Sequence, residues 1–154
     1  HAGTAVALLR HKAYVDSEDN EGNTALMRAA SRGYDKMVRR LLAAGANHQA
    51  TNGLGNTALM LAANIGKVAT VERLITAGTK VNVKNRNGNT ALMLASTRGH
   101  VEAVRRLLEG GADPGLRNQA RETAAALALA SGHRKVADLI EARRSWRTMI
   151  FGNK

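Results

Sequence analysis

The residue types able to do chemistry are present in this chain but are not assembled for it. Five histidines, at positions 1, 11, 48, 100 and 133, never stand four apart, the helical spacing that lets two imidazoles converge on one metal ion. There is no cysteine, which removes thiolate zinc sites, iron–sulfur clusters, disulfide scaffolds and thiol catalysis. Gly66-Lys67 has the closing pair of a phosphate loop, but Leu61 stands in the first glycine position and Val68 in the Ser/Thr position. No serine lies in a Gly-x-Ser-x-Gly elbow. Glu72, Glu102, Glu109 and Asp138 fall on helical faces where charge serves solvation. The expectation is a chain without enzymatic activity, cofactor or bound metal.

What remains is binding, and the charge balance says of what kind. Lys and Arg number 23 against 12 Asp and Glu, a net charge of +11 with a sequence pI near 11.1. Such a field favours an acidic protein face, a nucleic acid or an anionic membrane leaflet. Phe, Trp and Tyr together number four, too few for a base-stacking platform, so nucleic acid ranks low among these. At 154 residues and 44% hydrophobic composition the chain is expected to form one domain with an aliphatic core. The longest apolar run, Ala124 to Ala130, is far short of the ~20 residues of a membrane span. No charged-then-apolar leader opens the sequence. The expected location is intracellular and cytoplasmic.

The elements that position these residues repeat. Gly-Asn-Thr-Ala-Leu-Met occurs at Gly22–Met27, Gly55–Met60 and Gly88–Met93, a spacing of 33. One period on, Arg121-Glu122-Thr123-Ala124 keeps the Thr-Ala and loses the glycine. The same register aligns Gly33, Gly66, Gly99 and Gly132, and a further column holds Gly45, Gly78 and Gly111. The apolar pairs Leu41-Leu42, Leu74-Ile75 and Leu107-Leu108 precede that column.

Each period reads as two short helices and a turn. Thr24, Thr57, Thr90 and Thr123 precede helix-forming runs and are suited to cap them, the hydroxyl accepting from a backbone N–H two or three residues on. The first helix closes at Gly33, which suits the left-handed position. The second carries Met37, Val38, Leu41 and Leu42 on one stripe and ends at Gly45. Met27, Met60 and Met93 form a column expected to pack in the core. In the polar stretches Ala50–Asn56 and Asn82–Asn89, the pairs Asn52-Gly53 and Asn87-Gly88 predict turns with positive φ, projecting as hairpin-like loops.

With these columns the chain resembles the ankyrin-repeat family, whose period is 33 and whose units join a β-turn to two antiparallel helices. The family's Thr-Pro-Leu-His signature stands here as Thr-Ala-Leu-Met three times and as Thr123-Ala124-Ala125-Ala126 in the last unit. The proline that pre-sets the first turn and the histidine of the family's hydrogen-bond network are replaced. The Thr-Ala-Leu-Met variant suggests a bacterial source. Gly99-His100 and Gly132-His133 match the family's Gly-His turn, so both histidines are assigned a structural role. Gly111-Ala112-Asp113 matches its Gly-Ala-Asp.

The implied fold is an all-α solenoid of stacked helix-turn-helix units joined by β-turn or hairpin loops, a single domain over 1–154. Full repeats cover 19–51, 52–84 and 85–117. Residues 118–154 form a C-terminal capping repeat and tail. Residues 1–18 are a partial repeat whose helix, with Val6, Leu8 and Leu9, lacks its partner, so more repeat is expected upstream. At the far end Glu141, Arg143 and Arg144 replace the apolar and glycine positions, as a cap with a polar outer face requires. Leu139, Ala142, Trp146 and Ile150 continue the last helix, and Trp146 is expected to pack. The alternative for Trp146 and its arginines is an amphipathic anchor at an anionic membrane.

Two function classes follow. The resemblance implies a non-catalytic protein–protein interaction scaffold, its partner contacted by variable residues on the concave face of turn tips and first helices. In this register those are Asn20, Glu21, Asn23, Ser31, Arg32, Gly53, Leu54, Asn56, Asn64, Ile65, Arg86, Asn87, Asn89, Thr97 and Arg98. Arg32, Ile65, Arg98 and Ser131 share one position, which predicts an exposed apolar centre at Ile65 and Leu54 between two cations and hence an acidic partner with an aliphatic anchor. The other class is an electrostatic docking module for a polyanion, nucleic acid or anionic membrane. It would use Lys36, Arg39, Arg40, Arg73, Arg105, Arg106 and Arg134 on the second helices, convex in the family, with the C-terminal arginines.

Overall fold

A threonine hydroxyl opens every first helix. A computed structural model of the chain describes residues 14–152. In it the Thr24, Thr57, Thr90 and Thr123 hydroxyl oxygens each accept from the backbone N–H three residues on, at 3.3 Å. These caps start α1 (Ala25–Arg32), α3 (Ala58–Ile65), α5 (Ala91–Arg98) and α7 (Ala124–Ala130). The first three close on glycines in the left-handed region, Gly33, Gly66 and Gly99. The chain then reverses at once into α2 (Asp35–Ala43), α4 (Val68–Thr76), α6 (Val101–Glu109) and α8 (Arg134–Phe151). No strand occurs among the described residues.

The second helices end by a shared device. Gly45 N–H donates to Leu42 O at 3.0 Å and Ala46 N–H to Leu41 O at 3.0 Å, a double closure that satisfies carbonyls left free at a helix end. The same pairs form at Gly78 and Thr79, and at Gly111 and Ala112.

First helices stack on first helices, α1 on α3 on α5 on α7, and second helices form a parallel outer layer. The core between them is aliphatic as expected. Leu26, Leu59 and Leu92, the Met27, Met60 and Met93 column, and Val38, Val71 and Val104 are all fully buried. The Ala30–Ala63 column lets neighbouring helices approach closely. Ser96 continues that column, and its buried hydroxyl donates to Leu92 O at 2.6 Å, so no polar group is left unpaired there. All the described aromatics are exposed.

Three expectations need correction or fall outside the described residues. Val38 is buried and Leu41 and Leu42 are partly covered, but Met37 is exposed, so the second-helix stripe is narrower than the spacing predicts. Trp146 does not pack into the cap: it is 48% exposed. The last buried residue of its helix is Ile140. Val6, Leu8, Leu9 and most of the partial repeat over 1–18 lie outside the described residues.

Candidate functional site

The polar loops between units make a third layer beside the first helices. Within each loop an Asx side chain holds the turn. Asn52 Oδ1 accepts from Leu54 N–H at 3.0 Å and Asn56 N–H at 3.0 Å, and Asn85 Oδ1 accepts from Asn87 and Asn89 N–H at 3.0 and 2.9 Å. In the first loop Asp19 does this work for Glu21 and Asn23. The Asn23 backbone N–H, together with the Arg28 guanidinium that pairs with Asp19, holds the Asp19 carboxyl below the usual carboxylate range.

Consecutive loops are stitched to one another. Gly53 N–H donates to Glu21 O at 2.9 Å, Arg86 N–H to Leu54 O at 3.1 Å and Gln119 N–H to Asn87 O at 3.0 Å. A side-chain ladder runs alongside: Asn52 Nδ2 donates to Asn23 Oδ1, Asn85 Nδ2 to Asn56 Oδ1, and Asn118 Nδ2 to Asn89 Oδ1, at 2.9, 2.9 and 3.0 Å. Asn23, Asn56 and Asn89, expected to contact a partner, are thus half-buried and engaged in holding the next loop. The left-handed residues of these turns are Gly22, Gly55 and Gly88, so the prediction fails at Gly53 and holds at Gly88.

The other expected positions divide into two groups. Asn20, Glu21, Gly53, Leu54, Arg86 and Asn87 are exposed at the loop tips, Leu54 at 65%. Arg32 and Arg98 are exposed at first-helix ends, while Asn64, Ile65 and Thr97 are half-buried. Ile65 is therefore not the fully exposed aliphatic centre expected of it. Thr97 turns its hydroxyl inward to Met93 O at 2.8 Å, and Ser31 donates to Arg28 O at 2.8 Å. The Asn64 carbonyl takes a hydrogen bond from His100 Nε2 at 3.0 Å, and the His100 ring sits so close over Gly66 that a Cβ there would lie 2.5 Å from Nδ1. His100 is structural, and His133 covers Gly99 in the same way.

Sequence reasoning missed a column. Leu61, Leu94 and Leu127 stand one period apart at the position of Arg28, half-buried on the first helices. Leu61 joins Leu54, Met27, Arg28, Arg32 and Glu21 around a groove of about 290 Å³. The 33-residue register carried that signal.

Arg32, Arg86 and Arg98 have no ion-pair partner among the described residues. The second-helix cations differ. Arg73 grips Asp35 of the preceding unit through Nε and Nη2 at 2.8 and 3.0 Å, which lowers the Asp35 pKa and raises that of Arg73. Arg106 Nε lies 2.6 Å from Glu72 Oε1, a Coulombic contact not aligned as a hydrogen bond. Arg39 and Arg105 pair with Asp35 and Glu102. Lys36, Arg40 and Arg134 have no such partner among the described residues.

Residues 1–85 and 59–144 match the family model for ankyrin repeats (3 copies). The chain belongs to the ankyrin-repeat family. No protein in the curated set matches it. Ankyrin repeats are in general protein–protein interaction modules, and the family is in general one of non-enzymatic scaffolds. Among the described residues of this ankyrin-repeat chain no cluster of three or more His, Asp or Glu could hold a metal, and no helix is long and apolar enough to cross a membrane.

Proposed function

We propose that this chain binds an acidic protein segment on the face built from its loop tips and first helices. The observation that carries the reading is exposed Leu54 beside a groove lined by Leu61 and by Arg32, which has no ion-pair partner among the described residues. On the second helices Arg39, Arg73, Arg105 and Arg106 are neutralised by carboxylates. Arg32, which lines the Leu54 groove, Arg86, whose backbone N–H donates to Leu54 O, and Arg98 at the end of α5 have no ion-pair partner among the described residues. Interface energy concentrates in a few central side chains, and charge complementarity sets encounter rate and register. Leu54 supplies the apolar anchor point, the adjacent groove against Leu61 receives an aliphatic side chain, and the arginines take flanking Asp or Glu. The loop ladder pre-organises these tips, so little ordering is left for the moment of binding. A polyanion on the second helices would meet Arg39, Arg73, Arg105 and Arg106 already paired and only Lys36, Arg40 and Arg134 without a partner among the described residues.

The test is selection of displayed peptides against the chain. Enrichment of sequences with one aliphatic residue flanked by Asp or Glu is expected. Leu54→Asp should weaken the selected peptides at least ten-fold, a change of about 1.4 kcal/mol. Arg98→Glu should slow association and lessen its salt dependence. Peptides that bind Leu54→Asp as tightly as the unmodified chain, yet lose affinity for Lys36→Glu with Arg40→Glu, would move the site to the second helices.

A further inference from the structure

The last helix breaks the rule that ends the others. α2, α4 and α6 each stop after nine residues, before a left-handed glycine. One period after Gly111 stands Arg144, so α8 has no glycine at which to turn and runs for 18 residues to Gly152. Its first half belongs to the core through Val136, Ala137 and Ile140. Beyond Arg143 every residue up to Gly152 is exposed. Trp146, Met149 and Ile150 are 48%, 80% and 52% exposed, and at 3.6 residues per turn positions 146, 149 and 150 share one face. Arg143 lies over the Trp146 ring, 5.8 Å from its centroid, and Phe151 meets that ring edge-on at 6.4 Å. From Ala142 to Lys154 the sequence holds Arg143, Arg144, Arg147 and Lys154 and no Asp or Glu.

Charge decides what can cover this face. A second copy would set Arg143 and Arg147 against their own equivalents, a repulsion that Glu141 does little to relieve because it is already paired with Arg144 at 3.3 Å. An occupant must be anionic at its rim and deeply apolar inside. Anionic lipid meets both demands: its headgroups attract clustered arginines, and tryptophan favours the headgroup boundary, where its ring is half apolar and its N–H can be satisfied. A helix with large apolar residues on one side and only cations beside them lies in the plane of such an interface. We propose that α8 anchors the repeat stack to an anionic membrane surface, with Trp146, Met149 and Ile150 inserted and Arg143 and Arg147 at the phosphates. This is independent of the loop-tip face, which it leaves open to a protein partner.

Trp146 is the single tryptophan and reports directly. The full chain is mixed with phosphatidylcholine vesicles, either pure or with about one-third phosphatidylserine. The expected result is a blue shift of Trp146 emission and co-sedimentation with the anionic vesicles, both absent with pure phosphatidylcholine and reversed by high salt. Met149→Glu with Ile150→Glu should lower partitioning at least ten-fold while leaving the thermal melt of the body unchanged, because both side chains are exposed. Arg143→Glu with Arg147→Glu should do likewise. Emission unmoved by anionic vesicles would overturn the proposal, as would equal partitioning of the glutamate variants. An equal blue shift with soluble polyglutamate would assign the face to an acidic protein. Emission already blue in the free chain and shifting red on dilution would assign it to a second copy.

Discussion

Replacing Arg121 by glycine should stabilise the protein, whereas Gly88→Ala, one period earlier, should destabilise it. Arg121 has φ of 64°, the one non-glycine residue in the left-handed region among those described. Its backbone makes the same turn as the glycines it replaces: Arg121 N–H donates to Asn118 O at 2.9 Å, as Gly88 N–H does to Asn85 O at 2.9 Å. A side chain in that region costs about 1–2 kcal/mol. Glycine returns about 0.4–1 kcal/mol of this through the greater freedom of its unfolded chain. The net gain is about 0.5–1 kcal/mol, a rise in melting temperature of about 1–4 °C for a chain of this size. Gly88, with φ of 77°, carries a second constraint, because a Cβ would lie 2.8 Å from Gln119 N and 3.0 Å from Asn118 Cα. Alanine there must push the next loop away, straining the Gln119 N–H to Asn87 O and Asn118 to Asn89 bonds. At about 0.5–1.5 kcal/mol for each of the two hydrogen bonds, the loss is about 1–3 kcal/mol. Thermal and urea unfolding followed by circular dichroism at the helical band measures both. A lower midpoint for Arg121→Gly, or an unchanged one for Gly88→Ala, would refute the two-constraint account of these turns.

Asn85→Ala removes three hydrogen bonds, to Asn56 Oδ1 and from the Asn87 and Asn89 N–H groups, and should cost about 1.5–4.5 kcal/mol in urea unfolding. Asn87→Ala at the exposed tip should stay within about 0.5 kcal/mol. Asp35 is held below its ordinary value of 3.8 first by hydrogen bonds from Arg73. Its folded-state pKa is depressed, so its stabilisation is present above the ordinary value and lost as pH falls through the folded one. Asp35→Asn should therefore flatten the acid limb of the urea-midpoint profile at and below about pH 4, and an unchanged slope there would show that the Arg73 pair contributes nothing. His100→Ala should lower stability by losing the bond to the Asn64 carbonyl, and thermal melts check this against His133→Ala, whose ring covers Gly99.

Local rules make much of the solenoid legible in the sequence. A threonine hydroxyl reaches an N–H three residues away and a glycine relieves strain at its own φ, so helix starts and stops follow from neighbours in sequence. The 33-residue period places Leu, Met and Val in register, and burial of those columns needs only that like units stack. What depended on tertiary structure joins residues about one period or more apart. Asn56 reads as an exposed polar tip until Asn85, 29 residues on, is seen donating to it. Arg73 reads as a free cation until Asp35, 38 residues back, takes its guanidinium. Ile65 and Leu54 look equally available in sequence, but in the folded chain the first is half-buried and the second is 65% exposed. Trp146 has the spacing of a core residue, yet burial along α8 ends at Ile140 and every residue from Arg144 to Gly152 is exposed. The helices, their period and their aliphatic columns follow from local rules repeated every 33 residues. Which polar side chains are free for a partner was decided only by stacking, because a hydrogen bond or ion pair between units consumes a group whose local sequence is unchanged.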